Sequence, residues 1–356
     1  MAISGRLLES SKAGVSRLIH LYHPRTWKEK GLLWTSGLVI VTYLVVVLVL
    51  GMLWSREPDA FDVRGNALEL AQGDEKKLVP GYVTTATVIG IGQTLLDKPG
   101  GYLSNDITPP GLYLDNIPAW EFGVLTALRD VTRGMRNDFS RSQSQSAEDK
   151  DLVIAQPQFN YDSESWVLPS SESEYRKGLE ALTRYLNRLT DDNPRDGQFY
   201  TRADNLRNYL FEVEQRLGSL AQRLGASVGR ISYDTTLAGD PKAAQAKPGP
   251  EQFLIKTPWL EIDDVFYEAR GYTWALLHIL DALESDFAPV LNDKNAMVSL
   301  KQIIRELEGA QEPLWAPMVL NGQGFALVAN HSLVMASYIS RANAALIDLR
   351  SLLERG

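Results

Sequence analysis

The sequence predicts a mainly α-helical protein, with one N-terminal transmembrane helix followed by a multi-helix bundle that contains helical hairpins. Two observations predict this fold class. Residues 32–54 form a run of 23 residues without a charge. Apolar residues in the later stretches recur at steps of three and four, the spacing of a helix face. The chain has zero cysteines, which excludes disulfides and cysteine-ligated metal centres.

The uncharged run is long enough to cross a bilayer as a helix. A hydrocarbon core of ~30 Å requires about 20 apolar helical residues. Trp34 and Trp54 stand near its two ends, where aromatic rings favour the headgroup level. Signal peptides have shorter apolar regions, of ~7–15 residues, and a small-residue cleavage site. The Ser-Arg-Glu-Pro sequence at 55–58 is a poor cleavage site, so we expect an uncleaved anchor.

The charge distribution predicts the topology. Residues 1–31 hold six basic and two acidic residues, a net charge of +4. The whole chain carries −8 and the span is neutral, so residues 55–356 carry −12. Basic residues before a span keep the N-terminal segment on the cytoplasmic side of the membrane. We therefore expect a cytoplasmic N-terminus and an acidic domain outside, whose charge argues against nucleic acid as a partner.

Four segments follow from this topology. Residues 1–31 are a basic cytoplasmic segment, in which 1–23 has the pattern of an amphipathic helix on the inner leaflet. The alternative is that 1–23 is only a topology signal. Residues 55–80 are polar and predict a linker after the span at 32–54. Residues 81–356 then form the helical domain, and the Pro- and Ala-rich loop 238–250 is a candidate boundary within it.

Periodicity and turn residues place the helices of this domain. The stretch 82–96 fits either a strand or a buried helix, and its length favours a helix. The apolar residues between 206 and 224 recur at steps of 4, 3, 4, 3 and 4, a coiled-coil-like seam. We expect this helix to pair with the preceding one as an antiparallel hairpin. The predicted helices cover 82–96, 119–139, 146–156, 171–190, 201–224, 258–287, 295–310 and 327–353.

Four short stretches resemble one family of proteins. They are 97–106 (DKPGGYLSND), 114–123 (LDNIPAWEFG), 138–146 (DFSRSQSQS) and 198–206 (QFYTRADNL). Together with the N-terminal anchor, they resemble the DUF2333 family of Gram-negative bacteria. The resemblance extends over nearly the whole chain. It implies an inner-membrane-anchored envelope protein, and with the topology predicted above the main domain would lie in the periplasm. The resemblance brings no activity and no catalytic residue.

Two carboxylates are candidates for acid–base catalysis. Asp115 and Glu121 lie in a turn-rich stretch, and Trp120 beside Glu121 would raise a carboxyl pKa through apolar burial. The alternative is structural: Asp115 makes turn and cap bonds, Trp120 packs in the core, and Glu121 stabilises a helix N-terminus. A periplasmic hydrolase with paired carboxylates is therefore one hypothesis.

Three arginines are candidates for anion binding. Arg129, Arg133 and Arg136 recur at i, i+4 and i+7, which puts them on one helix face close to Trp120 and Glu121. Such a face suits a phosphate or carboxylate on a lipid or glycan. The alternative is a solvated or salt-bridged face.

The remaining motifs predict no metal and no cofactor. His278 and His331 fall on separate predicted helices without the spacing of a zinc motif. The glycines at 90 and 92 lack the third glycine and the lysine of a phosphate loop.

The first functional hypothesis is thus a non-enzymatic envelope scaffold or assembly factor, which binds a partner protein through the 171–224 hairpin or the C-terminal helix. A binding module for an anionic lipid or glycan and a hydrolase are the alternatives.

Overall fold

The protein is mainly helical along the part of the chain that the structure covers. The computed structural model describes residues 21–141, 147–191, 193, 196–233, 252–316, 318–323 and 327–355. Within these ranges it has twelve α-helices and one pair of strands. The helices are α1 Pro24–Lys30, α2 Leu32–Trp54, α3 Val63–Leu70, α4 Tyr82–Asp97, α5 Asn116–Gly134, α6 Leu152–Phe159, α7 Ser171–Leu189, α8 Ala203–Gly225, α9 Ile262–Asp286, α10 Ala288–Asp293, α11 Met297–Ala310 and α12 His331–Glu354. The strands are β1 Arg230–Tyr233 and β2 Gln252–Ile255.

The chain divides into two units, Met1–Trp54 and Ser55–Gly356. In the described part of the first unit, α2 is an exposed apolar helix with a mean hydropathy of 2.6. It is the one helix among the described residues that is long and apolar enough to cross a membrane. The helix has the bounds that the sequence predicted. The predicted amphipathic segment 1–23 lies almost entirely outside the described residues.

The core of the second unit is built around α9 and α5, which pack tightly together. Two glycines allow the close approach. A Cβ atom on Gly271 would lie 1.9 Å from the carbonyl oxygen of Trp120, and one on Gly123 would lie 2.1 Å from that of Glu268. Both distances are far shorter than any carbon–oxygen contact allows. The two helix backbones therefore touch directly at this crossing.

Helix α4 settles the choice between strand and helix for residues 82–96. It is buried along most of its length, which explains why its apolar residues show no clear helical period.

Asp286, at the end of α9, accepts hydrogen bonds from the backbone nitrogen and hydroxyl of Thr84, at 2.8 and 2.6 Å. A carboxylate at a helix N-terminus satisfies donors that the helix leaves free. Burial raises the pKa of Asp286 to about 6.

The coiled-coil-like seam of α8 is part of the core. Its leucines and Val213 are buried, and α8 packs mainly against α12. Helix α7 packs against α4 and α6 instead of pairing with α8 as expected. Consecutive helices do pack together elsewhere, as α6 with α7 and α11 with α12. Local spacing thus predicted the apolar seam but not the helix that covers it.

Two features differ from the expected linkers. Residues 55–80, expected to be a linker, contain α3, whose Val63 and Ala67 are buried against the rest of the unit. The strands β1 and β2, which the sequence did not predict, pair antiparallel with Arg230 opposite Ile255. The predicted loop 238–250 lies outside the described residues.

Candidate functional site

Glu121 is fully buried and bound on both oxygens. Its carboxylate pairs with the ammonium of Lys98, which also donates to the carbonyl of Gly101. The backbone nitrogens of Leu103 and Ser104 donate to it at 2.9 and 2.8 Å, and the Ser104 hydroxyl donates as well. These groups all come from the loop that follows α4. Glu121 therefore fastens this loop to α5.

Burial dominates the electrostatics of Glu121. It raises the pKa of the carboxyl, while the Lys98 ammonium, Ser104 and the backbone of Leu103 act in the opposite direction. A catalytic acid must come within hydrogen-bonding reach of its substrate. Glu121 has no exposed surface. The geometry therefore favours the structural alternative for this residue.

Asp115 and Trp120 are placed differently from Glu121. Asp115 is exposed at the start of α5, and its side chain accepts a hydrogen bond of 2.8 Å from the nitrogen of Asn116. Trp120 is completely buried, with its ring centroid 5.2 Å from that of Trp274 on α9. The exposed carboxylate and the buried one do not share a cavity among those found in the described structure. The pairing needed for a hydrolase stays a prediction.

The three arginines each bind a different part of the domain. Arg129 donates to the carbonyls of Phe159 and Tyr161, at 2.7 and 2.9 Å, and so caps the end of α6. Arg133 pairs with Asp130 and Glu212, at 3.1 and 2.8 Å. Arg136 reaches Gln156 and Glu148, at 2.8 and 3.0 Å.

A polar cleft of about 490 Å³ lies next to Arg133, between α5, α8 and α12. Three arginines and four carboxylates line it: Arg133, Arg207, Arg350, Asp130, Asp138, Glu212 and Glu354. Each arginine already pairs with a carboxylate, as Arg207 does with Glu354 at 3.2 Å and Arg350 with Glu214. Burial raises the pKa of Asp138. The cleft therefore offers an anion little uncompensated positive charge.

Substitution of the arginines separates a structural role from ligand binding. Arg129→Ala removes two charged hydrogen bonds to carbonyls, and we expect it to lower the free energy of unfolding by about 1.5–3 kcal/mol. Arg133→Ala breaks the ion pair with the half-exposed Glu212, while Asp130 keeps its pair with Arg216, and we expect a loss below about 1 kcal/mol. Thermal melting of each variant gives the comparison. An anionic lipid or glycan that copurifies with the wild type and is lost from the double variant would restore the binding hypothesis.

The described domain also has an apolar groove of about 550 Å³. It lies between α9, α11 and α12 and is closed on one side by residues 312–316. Aromatic and aliphatic side chains dominate its lining, which includes Phe266, Leu314, Trp315, His331, Val334, Met335 and Tyr338. Trp315 is 94% exposed and Val334 is 55% exposed. The groove thus presents apolar surface that no described part of the chain covers.

Tyr338 is held in place at this groove from two sides. A Cβ on Gly309 would lie 2.4 Å from its ring, so the glycine lets the ring pack against α11. The guanidinium of Arg341 stacks 4.6 Å from the ring centroid and is itself bound to Glu306 at 2.7 Å. A fixed aromatic ring loses little conformational entropy when a ligand binds.

Arg270 joins the groove to the residues that follow α2. It binds the carboxylate of Glu57 through two nitrogens, with contacts of 2.6 to 2.9 Å. Its third nitrogen donates to the carbonyls of Ala310 and Glu312, at 3.2 and 3.0 Å. Residues 55–60 line a neighbouring cavity with Arg270, Pro313 and Leu314. The segment after the apolar helix is therefore bonded to the rim of the groove.

The two histidines of the domain have backbone partners. The ring of His278 accepts a hydrogen bond from the nitrogen of Phe61 at 3.0 Å, and its other nitrogen bonds the carbonyl of Trp274 at 2.7 Å. Burial lowers the pKa of His278 to about 4, so this ring is neutral at pH 7. His331 accepts from the nitrogen of Leu320 at 3.0 Å. No cluster of metal-ligating side chains occurs among the described residues.

Sequence reasoning did not find the groove. Its lining combines Phe266 and Arg270 of α9 with residues from 309 to 338 of α11, the following loop and α12, and no known motif marks this combination. One signal was present: residues 313–340 contain no Asp, Glu, Lys or Arg, although the domain as a whole is strongly charged. An uncharged stretch of this length that is not completely buried indicates an interaction surface.

The chain was compared with protein families, curated proteins and solved structures. Residues 27–356 match the family model DUF2333, described as an uncharacterised protein conserved in bacteria. No curated protein and no solved structure gave a match. Since the match extends over nearly the whole chain, the protein belongs to the DUF2333 family of conserved bacterial proteins.

Proposed function

We propose that the protein is a single-pass protein of the bacterial inner membrane whose helical domain lies in the periplasm and acts as a non-enzymatic scaffold or assembly factor. The apolar helix α2 supports the anchor, and the charge of +4 before it and −12 after it supports the orientation. The bacterial family is consistent with this location.

The apolar groove is the observation that carries the scaffold role. Protein-binding hot spots are concave and rich in aromatic side chains, and methionine adapts such surfaces to a partner. The groove combines Trp315, Tyr338 and Met335. Its rim is bonded to Glu57, close in sequence to the end of the span. The occupant we propose is an apolar segment of a partner protein that emerges from the same membrane.

The two alternative functions have less support. An anion at the Arg133 cleft would have to displace carboxylates that already pair with Arg133, Arg207 and Arg350. A hydrolase would need Glu121 to leave a fully buried network of hydrogen bonds.

Purification from native membranes tests the proposal. Tagged full-length protein is extracted in mild detergent, and its partners are quantified by mass spectrometry. Val334→Asp introduces a charge at an exposed residue of the groove. We expect the amount of copurified partner to fall at least tenfold, since a loss of ~1.4 kcal/mol in binding free energy weakens the affinity tenfold. Val298→Asp makes the same change at an exposed valine at the opposite end of α11, and it should keep the partner. Equal recovery with both variants would contradict the groove as the binding site.

A further inference from the structure

We propose that the described parts of the loop between α11 and α12, residues 311–316, 318–323 and 327–330 (the 311–330 loop), contact the bilayer. The exposed side chains of Trp315, Met318 and Leu327 would lie at the boundary between headgroups and acyl chains, on the outer face of the membrane that α2 crosses. The contact goes beyond the scaffold role, and it rests on the proposed anchor.

The loop has a defined base. The nitrogen of Gly322 donates to the carbonyl of Ala329, and the nitrogen of His331 donates to that of Leu320, both at 2.9 Å. The side chain of Asn330 adds a bond of 2.7 Å to the carbonyl of Gly322. A Cβ on Gly322 would lie 1.9 Å from the carbonyl oxygen of Val328, so the two sides of the loop touch. These bonds fix the loop to the start of α12.

Three described apolar side chains of this loop are exposed, two before the base and one between its two sides. Trp315 is 94% exposed, Met318 is 63% exposed, and Leu327 is fully exposed. Exposing such side chains to water is unfavourable by about 25 cal/mol for each Å² of apolar surface. Tryptophan in particular favours the interface of a bilayer.

The charges of the domain support a bilayer as the occupant. Residues 55–356 carry −12, yet none of residues 313–340 is charged. Carboxylates near a leaflet that contains anionic lipid would be repelled by its negative surface potential. Residues 313–330 of the loop carry no charge, so this part of an acidic domain approaches such a surface without this repulsion.

The length of the connecting chain makes the contact feasible. Glu57 follows Trp54 by three residues, a stretch that spans at most about 11 Å. Arg270 binds Glu57 and also the carbonyls of Ala310 and Glu312, where the loop begins. The polar interface of a bilayer is itself about 5–7 Å deep on each side. The length of the chain therefore permits the start of the loop to reach the lipid headgroups.

Spin labels on single cysteines test the contact, and the chain has zero native cysteines to remove. Full-length protein carrying Met318→Cys or Leu327→Cys is reconstituted into vesicles of phosphatidylethanolamine and phosphatidylglycerol. Collision rates with oxygen, which concentrates in lipid, and with a water-soluble nickel chelate are measured. Val298→Cys is the matched control, an exposed valine outside the loop. Leu44→Cys, within α2, reports whether the span is inserted.

We expect the labels at 318 and 327 to collide several-fold more often with oxygen and several-fold less often with nickel than the label at 298. Nickel access equal to that at 298 would overturn the contact, because the loop would then be in water. Low access to both reagents would also overturn it, because protein would cover the loop. If the label at 44 is itself accessible to nickel, the anchor fails; if only the loop labels are, the anchor stands and the bilayer contact fails.

Discussion

Glu121→Gln is expected to lower the free energy of unfolding by about 3–5 kcal/mol, the usual cost of breaking a buried ion pair from one side. The glutamine amide would place donor hydrogens against Lys98, Leu103 or Ser104, which all donate to this site. Lys98→Met should cost a similar amount, because it leaves the carboxylate buried without its cation. Thermal and urea unfolding of the full-length protein in detergent micelles measure both losses.

The double variant separates coupling from general damage. If Lys98 and Glu121 act on each other, the double variant loses less than the sum of the single losses. Asp115→Asn is the control, since that carboxylate is exposed and makes one local bond. We expect a change below about 1 kcal/mol for it. An unchanged melting temperature in Glu121→Gln would disprove the structural role and return this residue to the catalytic candidates.

Gly271→Ala is the second substitution with a large expected effect. The added methyl group would lie 1.9 Å from the carbonyl oxygen of Trp120, so α9 and α5 would have to move apart. Overpacking of a core costs about 1–3 kcal/mol, and a clash with backbone belongs at the upper end because no side chain can rotate away. We expect a loss of about 3 kcal/mol, measured by thermal unfolding.

A matched glycine provides the control. Gly225, the last residue of α8, has a helical φ of −64°, and no other part of the fold lies within 4 Å of the position that an added methyl group would take. Gly225→Ala should leave the stability unchanged or raise it by about 0.4–1 kcal/mol, through the unfolded state. Equal effects of the two substitutions would contradict the backbone contact between α5 and α9.

The sequence predicted those elements whose signal is local. The uncharged run 32–54 became α2 with the predicted bounds, and the apolar period of 206–224 became α8. Length and stop signals resolved 82–96 as a helix, although α4 is buried on most sides. Each of these depends on residues within a few turns of one another.

Features that depend on tertiary contacts could not be predicted from local sequence patterns. The seam of α8 is covered by α12, more than a hundred residues later, so the hairpin with α7 was the wrong partner. Ser171 begins α7, and its hydroxyl donates to the carbonyls of Asp162 and Ser165 in the preceding loop, contacts that no local pattern indicates. Glu121, placed by its sequence beside an aromatic residue, has its partners in the loop at 98–104.

The stretches that carry the family resemblance have a structural explanation in part. Lys98, Gly101, Leu103 and Ser104 fall in the first stretch and Glu121 in the second, and together they form one buried network. Such a network specifies how the loop after α4 docks on α5. These two stretches therefore have a structural role, which is to hold the loop after α4 on α5.

Photo-crosslinking from the groove in living cells tests the scaffold role most directly. A photoreactive amino acid replaces Val334 in the full-length protein, and Val298 is the control site on α11 outside the groove. We expect an adduct at 334 that maps to an apolar segment next to a membrane span of one partner protein, and no such adduct at 298. Adducts only with lipid at 334, or the same protein adducts from both sites, would contradict the scaffold role.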